Sequence, residues 1–220
     1  MKVYFITGTD TGVGKTLAAA LLCRSLSKTG KKTAYVKAVQ TGGEDFDVNF
    51  VQKVCGGDFL CFCPLTFALP ASPHLAAAQE GKEIDVPTLV RSIKVFSEEN
   101  ELDYLVVEGA GGISVPLNDQ WDMAGLCQLL GGEAVIVTRP GLGTLNHTYL
   151  TVEYAKLKYL QPSLIISGCH SAPDLIEQDN LKRLSQMVED RVLFQIPAVK
   201  NLDTEQCQYD ELPDMVCVKS

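Results

Sequence analysis

Residues 8–16 read Gly8-Thr9-Asp10-Thr11-Gly12-Val13-Gly14-Lys15-Thr16, and this stretch decides the fold. It follows Val3-Tyr4-Phe5-Ile6, a β-branched and aromatic run that predicts a buried strand. It precedes residues 17–26, which are rich in alanine and leucine and long enough for a helix. A glycine-rich turn between a strand and a helix, ending in Gly-Lys-Thr, is the arrangement of a phosphate-binding loop.

Each part of this loop suits an anionic ligand. Glycines allow backbone N–H groups to approach phosphate oxygens, and the following helix directs its positive dipole end at them. The Lys15 ammonium can reach the outer phosphates, and the Thr16 hydroxyl is suited to ligate Mg²⁺. We therefore expect a nucleotide to bind the loop residues Thr11, Gly12, Val13, Gly14, Lys15 and Thr16.

The loop departs from the common spacing, which would place a glycine at position 9. Thr9 stands there, and the glycine is Gly8, so the loop is one residue longer than usual. Asp10 adds a carboxylate to a loop meant for anions. Its side chain either turns away from the phosphates or caps the loop by accepting backbone N–H bonds.

Two later strands are predicted to end near this loop. Residues 33–36 form a strand that delivers Lys37, with Thr41 shortly after, and residues 102–107 form one that ends in Glu108-Gly109-Ala110-Gly111. In open parallel sheets ligands bind at the carboxyl ends of strands, so these residues share the rim with the loop. Glu108 is a candidate metal ligand, and the glycines after it allow backbone to pass close to a nucleotide.

The acidic cluster Glu44-Asp45-Phe46-Asp47 precedes an apolar helical stretch. Its carboxylates either interact with that helix's dipole or hold Mg²⁺, which prefers oxygen ligands. Residues 62–75 are rich in proline and predict an irregular crossover, in which Pro73-His74 is either structural or part of the site. The tail from Pro197 shows no clear element.

Helical and strand patterns alternate along the chain with no break in composition. This predicts one α/β domain over residues 1–220, with a mainly parallel central sheet covered by helices on both faces. Together with the loop, it indicates the fold of the P-loop nucleoside triphosphatases.

The 220-residue chain carries a net charge of −8, which argues against a nucleic-acid partner. It shows no signal peptide and no apolar run of membrane-spanning length, so we expect no membrane association. Its eight scattered cysteines fit reduced thiols, and we expect a cytoplasmic protein.

Several stretches together resemble dethiobiotin synthetase, an enzyme family of biotin synthesis. The likeness covers nearly the whole chain, in matching order and spacing. It lies in Thr7-Gly-Thr-Asp-Thr-Gly-Val-Gly-Lys-Thr16, Tyr35-Val-Lys37, Thr41-Gly42, Phe67-Ala-Leu-Pro-Ala-Ser-Pro-His74, Ala78-Gln-Glu-Gly81, Val106-Val-Glu-Gly-Ala-Gly-Gly112, Gly141-Leu-Gly-Thr-Leu-Asn-His147 and Ile196-Pro197. The family's form of the loop accounts for the extra residue and for Asp10.

This resemblance implies an enzyme that uses ATP, Mg²⁺ and CO₂ to close a cyclic urea on 7,8-diaminopelargonate (7,8-diaminononanoate). One amine takes up CO₂ as a carbamate, which attacks the γ-phosphate to give a carbamic–phosphoric anhydride. The neighbouring amine then closes the ring to dethiobiotin and expels phosphate, leaving ADP. Lys15 and Lys37 would be the catalytic residues, because they can bridge the two anions.

The resemblance also implies the remaining site residues. Mg²⁺ would be held by Thr16, Glu108 and Asp47, with Asp45 as the fallback for the third ligand. Thr41 and Lys37 would contact the diamine. The diamine's carboxylate would be read by a second subunit through the stretch Leu142, Gly143, Leu145 and Asn146, which opens a helix. A homodimer would then complete the active site.

Base recognition is where the chain departs from this family. Relatives often carry an Asn-Asp pair after the late strand, but Ser167-Gly168-Cys169-His170 stands there, without the amide that pairs with a base edge. Backbone groups, Ser167, or the segment Ile196-Pro197-Ala198 can substitute, and we expect loose base selectivity.

Three other classes share a phosphate loop. A partition or septum-placement ATPase often has a second lysine early in the loop, where Asp10 stands, and a basic or amphipathic surface. A GTP-binding switch carries an Asn-Lys-x-Asp motif, which the sequence lacks. A small-molecule kinase usually has lid arginines, whereas this chain has only Arg24, Arg91, Arg139, Arg183 and Arg191.

Overall fold

A computed structural model describes residues 1–43, 46–199 and 212, and the backbone of residues 216–217. Its central sheet has the strand order β10-β9-β8-β7-β1-β6-β2-β4. Each neighbouring pair in this order is parallel except β10 and β9, because β10 adds an antiparallel edge. A two-stranded pair, β3 and β5, lies apart from it. The strands are β1 (Lys2–Gly8), β2 (Thr33–Lys37), β3 (Gln40–Thr41), β4 (Cys61–Phe62), β5 (Thr66–Phe67), β6 (Tyr104–Gly112), β7 (Glu133–Thr138), β8 (Ser163–Cys169), β9 (Val192–Pro197) and β10 (Val216–Cys217).

Helices cover both faces of this sheet, as the alternating sequence pattern predicts. Successive strand residues point to opposite faces, so Phe5 joins one core cluster and Ile6 the other. The Ile6 cluster packs under α1 and α2, and the Phe5 cluster contains buried residues of α3 to α6 and Leu184 of α7. The helices in the described ranges are α1 (Lys15–Ser27), α2 (Phe46–Cys55), α3 (Pro73–Gln79), α4 (Val86–Glu99), α5 (Met123–Leu129), α6 (Thr144–Leu157) and α7 (Leu175–Met187).

The proline-rich segment differs from its predicted irregular form. It contains β5, and α3 begins within it, with Pro73 at a first-turn position where its missing N–H costs nothing. Ala76 and Ala77 are buried on this helix. The alanine run therefore outweighs the prolines that precede it. Toward the C-terminus, β9 extends to Pro197, and most of the tail after it lies outside the described residues.

None of the helices that the structure describes is long and apolar enough to cross a bilayer.

The register of the sheet brings the predicted rim residues together. Lys37 at the end of β2 is the direct cross-strand partner of Glu108 on β6, and Ile6 of β1 flanks Glu108 on its other side. The loop that leaves β1 at Gly8 starts at the same edge, beside Gly112. Because all three strands run in the same direction, their carboxyl ends form one rim.

Candidate active site

The phosphate-binding loop wraps tightly from β1 to α1. Gly14 caps α1 in the left-handed region, at φ 95°, and its carbonyl accepts the Ala18 N–H at 2.9 Å. A Cβ on Gly8 would lie 2.8 Å from both the Asp10 carbonyl oxygen and Val13 Cγ2. Gly8 therefore serves the close turn that the common spacing assigns to position 9.

Asp10 caps the loop by accepting a backbone N–H bond, which confirms the second of the two orientations predicted for its side chain. Its Oδ1 accepts the Thr11 N–H at 2.7 Å, and its backbone carbonyl accepts a hydrogen bond from Lys15 Nζ at 3.1 Å. Burial lowers the pKa of Lys15, although the negative charge of Glu108 opposes this effect. The Lys15 ammonium is thus partly desolvated before any phosphate binds, which strengthens its attraction for an anion.

Lys37 forms the centre of a buried ionic cluster. Its Nζ lies 2.6 Å from Asp47 Oδ2 and 2.8 Å from Glu108 Oε1. The exposed fractions of the Lys37, Asp47 and Glu108 side chains are 7%, 16% and 1%. Burial disfavours the charged ammonium, but the attraction of Glu108 and Asp47 outweighs it and raises the pKa of Lys37. Lys37 therefore carries its charge throughout the physiological pH range.

Three oxygen-bearing side chains converge beside this ammonium. Thr16 Oγ1 lies 3.0 Å from Asp47 Oδ1 and 3.1 Å from Glu108 Oε1. Two carboxylates and a hydroxyl suit a hard cation such as Mg²⁺, which keeps several waters and takes further oxygens from the nucleotide. The described residues contain no group of three or more His, Cys, Asp or Glu side chains suited to a metal ion. The two carboxylates and the hydroxyl fit a metal that also takes phosphate oxygens as ligands. Asp45, the fallback ligand, lies outside the described residues.

The loop and the ionic cluster open into one cavity of about 740 Å³. Eleven predicted site residues line it, and two apolar residues of α2 and the 70–73 segment form much of its other wall. The predicted lining residues are Thr11, Gly12, Gly14, Lys15, Thr16, Lys37, Thr41, Asp47, Glu108, Ala110 and Gly111; residues not predicted include Gln40, Phe46, Phe50, Pro70 and Val115.

The sequence holds only part of the signal for this wall, because it groups residues on α2 without placing that helix at the rim. Phe46 and Phe50 are four residues apart, so they lie on the same face of α2. In the structure this face lines the cavity. Pro73 lines the cavity as well, whereas His74 is exposed outside it. Val13 does not line it, because its side chain is buried in the core, and only its backbone is available to a ligand.

The residues predicted to meet the base lie at the ends of β8 and β9, outside this cavity. A Cβ on Gly14 would come within 2.7 Å of Ser167 Oγ, so Ser167 supports the phosphate loop directly. Gly168, at φ 87°, lies in a register shift between β8 and β9. The Ala198 N–H donates to the Cys169 carbonyl at 2.8 Å, and the Ile196 side chain is buried. Pro197 pairs with Cys169 at the same edge. Gly109, another residue predicted to contact the nucleotide, is buried on β6 directly after Glu108.

The stretch predicted to read the substrate carboxylate lies on a turn before α6. Gly143 caps that helix at φ 90°, and Leu142 is 90% exposed. Leu145 packs partly against the core, and Asn146 is exposed. None of these four residues lines the cavity in the part of the chain that the structure describes. Their contribution from a second subunit stays a prediction.

A parallel sheet whose first strand leads through a phosphate-binding loop into α1, with a buried carboxylate at the end of a neighbouring strand, defines the P-loop class of nucleotide-binding proteins. Solved structures agree on the fold. The MinC:MinD cell division complex of Aquifex aeolicus matches with a TM-score of 0.60 at 13% identity, covering 91% of this chain and 83% of that one. FtsY of Mycoplasma mycoides matches with a TM-score of 0.58 at 12% identity, covering 100% and 64%.

Sequence relatives narrow this class. A family model described as an AAA domain matches residues 2–206. The ATP-dependent dethiobiotin synthetase of Anoxybacillus flavithermus is 39% identical over 216 residues, which is 94% of this chain and 96% of that protein. The enzyme of the same name from Methanocaldococcus jannaschii is 39% identical over 168 residues, covering 75% and 78%. This chain belongs to the ATP-dependent dethiobiotin synthetase family.

Proposed function

We propose that this protein uses ATP and CO₂ to close the cyclic urea ring of dethiobiotin on 7,8-diaminononanoate. The observation that carries this proposal is the Lys37 ammonium, held by Asp47 and Glu108 in the same cavity as the phosphate loop. A carbamate and a triphosphate repel each other, and their reaction needs positive charge between them. Lys15 and Lys37 are the described lysines that line this cavity.

The reaction follows the course that family membership supports. One amine of the substrate binds CO₂ as a carbamate, whose oxygen attacks the γ-phosphorus of ATP and displaces ADP. The second amine attacks the carbonyl carbon of the resulting mixed anhydride, and phosphate leaves as the ring closes. Lys37 and Lys15 stabilise the charge on the transferring phosphoryl group, as preorganised cations do in phosphoryl transfer.

The nucleotide is held mainly by backbone groups. The N–H groups of residues 11–16 face its phosphates, and residues 109–111 pass beside it. Thr16, Asp47 and Glu108 would hold Mg²⁺, which would neutralise phosphate charge when bound. The base would lie toward Ser167, Gly168 and residues 196–198, because Ser167 is next to the loop at Gly14 and lies on β8, across β1 in the sheet from Lys37 on β2.

The substrate is placed by residues from two subunits in this proposal. Thr41 and Lys37 line the cavity beside the phosphate loop and contact the diamine end. The start of α6 in a second subunit, around residues 142–146, binds the carboxylate end with its free N–H groups. The functional unit is therefore a homodimer of single-domain subunits, and its reducing, ATP-rich setting is the cytoplasm.

Phosphate release measured with and without each co-substrate tests this function. ATP hydrolysis should require both bicarbonate and the diamine, and mass spectrometry should detect the cyclic urea. Lys37→Ala should lower turnover at least about a hundredfold, the scale of losing a transition-state donor. Lys94→Ala, which removes an exposed lysine on α4, is the matched control and should leave turnover unchanged.

Two outcomes would contradict the proposal. Phosphate release that ignores bicarbonate and diamine would indicate a switch ATPase instead of a synthetase. Turnover of the Lys37→Ala variant near that of the unmodified protein would remove Lys37 from the mechanism.

A further inference from the structure

Tyr35 lies next to the ionic cluster but does not line the cavity. Its side chain is fully buried in the core beneath α1 and α2, among the Ile6 cluster. Its hydroxyl donates a hydrogen bond to Glu108 Oε2 at 2.8 Å. In the sequence, Tyr35 fits the apolar pattern of β2, and that pattern does not indicate a polar role for its hydroxyl.

The register of the sheet explains this contact. Tyr35 pairs with Val106 across β2 and β6, and Lys37 pairs with Glu108. Residues two apart on a strand face the same side, so Tyr35 is the diagonal neighbour of Glu108. Long aromatic side chains reach across such a diagonal.

The two oxygens of Glu108 have separate partners. Oε1 accepts from Lys37 at 2.8 Å and lies 3.1 Å from Thr16 Oγ1, whereas Oε2 accepts from Tyr35. Fixing Oε2 fixes the plane of the whole carboxylate, because its two oxygens turn together. A buried hydroxyl in an otherwise apolar cluster is costly without a partner, and Glu108 is the partner that Tyr35 finds.

We propose that Tyr35 is a positioning residue: its hydroxyl holds Glu108 so that Oε1 faces Thr16 and Lys37, where the metal-bound nucleotide binds. The proposal rests on the proposed function only in taking Glu108 as a ligand of the nucleotide's metal. Groups that orient a metal ligand typically change metal affinity by about 10- to 100-fold when they are removed.

The Tyr35→Phe variant tests this role because it keeps the ring and removes only the donor. We expect it to weaken Mn²⁺ binding to the ADP-bound protein about tenfold, measured by electron paramagnetic resonance. Binding of ADP without metal should change little, whereas the thermal unfolding midpoint should fall modestly, because Glu108 Oε2 loses its buried donor. Tyr4→Phe is the matched control: Tyr4 is half-buried on β1 and stacks on Tyr104, away from the cavity, so metal affinity should be unchanged.

A double-mutant cycle shows whether Tyr35 acts through Glu108. Adding Tyr35→Phe to a Glu108→Gln variant should leave metal affinity where Glu108→Gln alone puts it. Unchanged Mn²⁺ binding in Tyr35→Phe, or losses that add in the double variant, would overturn the proposal. A loss of metal-free ADP binding as large as the loss of Mn²⁺ binding would also overturn it, since that would indicate a general disturbance of the site. If the protein binds Mn²⁺ and ADP but forms no cyclic urea, the proposed function is refuted, whereas the role of Tyr35 in metal binding still stands.

Discussion

Replacing Lys37 by methionine tests the buried ionic cluster through the stability of the fold. Methionine keeps most of the side-chain length, but it leaves Asp47 and Glu108 without the ammonium that lies 2.6 and 2.8 Å from them. Removing one partner of a buried ion pair typically costs about 3–5 kcal/mol, because a charge is left uncompensated. Asp47 keeps some contact with solvent and Lys15 lines the same cavity, so we expect the lower end, about 3 kcal/mol.

Urea unfolding at neutral pH, followed by circular dichroism, measures this loss. With a slope of about 3 kcal/mol per molar urea, the midpoint should fall by about 1 M. Lys94→Met is the control, because an exposed lysine should change the unfolding free energy by less than about 0.5 kcal/mol. The double variant Lys37→Met/Glu108→Gln should recover part of the loss, since it removes the more deeply buried of the two carboxylates.

Two results would refute this account of the cluster. A loss below about 1 kcal/mol for Lys37→Met would mean that the carboxylates are not stranded when the ammonium is removed. A double variant as unstable as the sum of the two single variants would mean that Lys37 and Glu108 are not coupled. Either result would also weaken the case for Lys37 as the cation that meets both anions.

Three further predictions concern other parts of the chain. ATP should be favoured over GTP and CTP by less than about a hundredfold in kcat/KM, or about 2.7 kcal/mol, and competition assays with the three nucleotides measure this. Gly8→Ala should lower the unfolding free energy by about 1–3 kcal/mol and weaken ADP binding in calorimetry, because the new Cβ meets Asp10 and Val13 at 2.8 Å. Gly57→Ala, with open space around it, should do neither. Burial works to raise the pKa of Asp122, but hydrogen bonds from Tyr154 and a backbone N–H outweigh it and hold that pKa below the ordinary value of an aspartate. The stability that Asp122 adds is thus present above the ordinary pKa of an aspartate and is lost as the pH falls through the lowered value. Urea unfolding measures this: the difference in unfolding free energy between the unmodified protein and Asp122→Asn should be smaller at about pH 3 than at pH 7.

The fold was predictable because its signals are local and agree with one another. Each buried strand is a short apolar run, and the glycine loop between β1 and α1 fixes the class of sheet. Parallel strands share one rim, so Lys37 and Glu108 could be placed near the loop before their contact was known. The helix α3 was missed because two opposing local signals, prolines and alanines, lie within a few residues of each other. Only the packing of Ala76 and Ala77 decides between them.

The parts of the site that escaped prediction depend on register. Tyr35 and Val36 look equivalent in sequence, and only the pleat places Tyr35 on the face of Glu108. Asp47 could be chosen over Asp45 as the third metal ligand only by resemblance. The spacing of the acidic cluster does not say which carboxylate faces Lys37. The cavity wall formed by Phe46 and Phe50 requires the position of α2 relative to the rim, which no local pattern encodes.

The net charge of −8 and the binding of a triphosphate are compatible because the relevant distances are short. At physiological salt the Debye length is about 8 Å, so charges on the far surface are screened from this rim. Within the cavity, Lys15 and Lys37 balance Asp47 and Glu108, and the loop adds the N–H groups at the start of α1. A phosphate that enters therefore meets a neutral set of side chains and the positive end of a helix. In the proposed reaction the two carboxylates are needed for the metal, which explains why a site for an anionic nucleotide contains them.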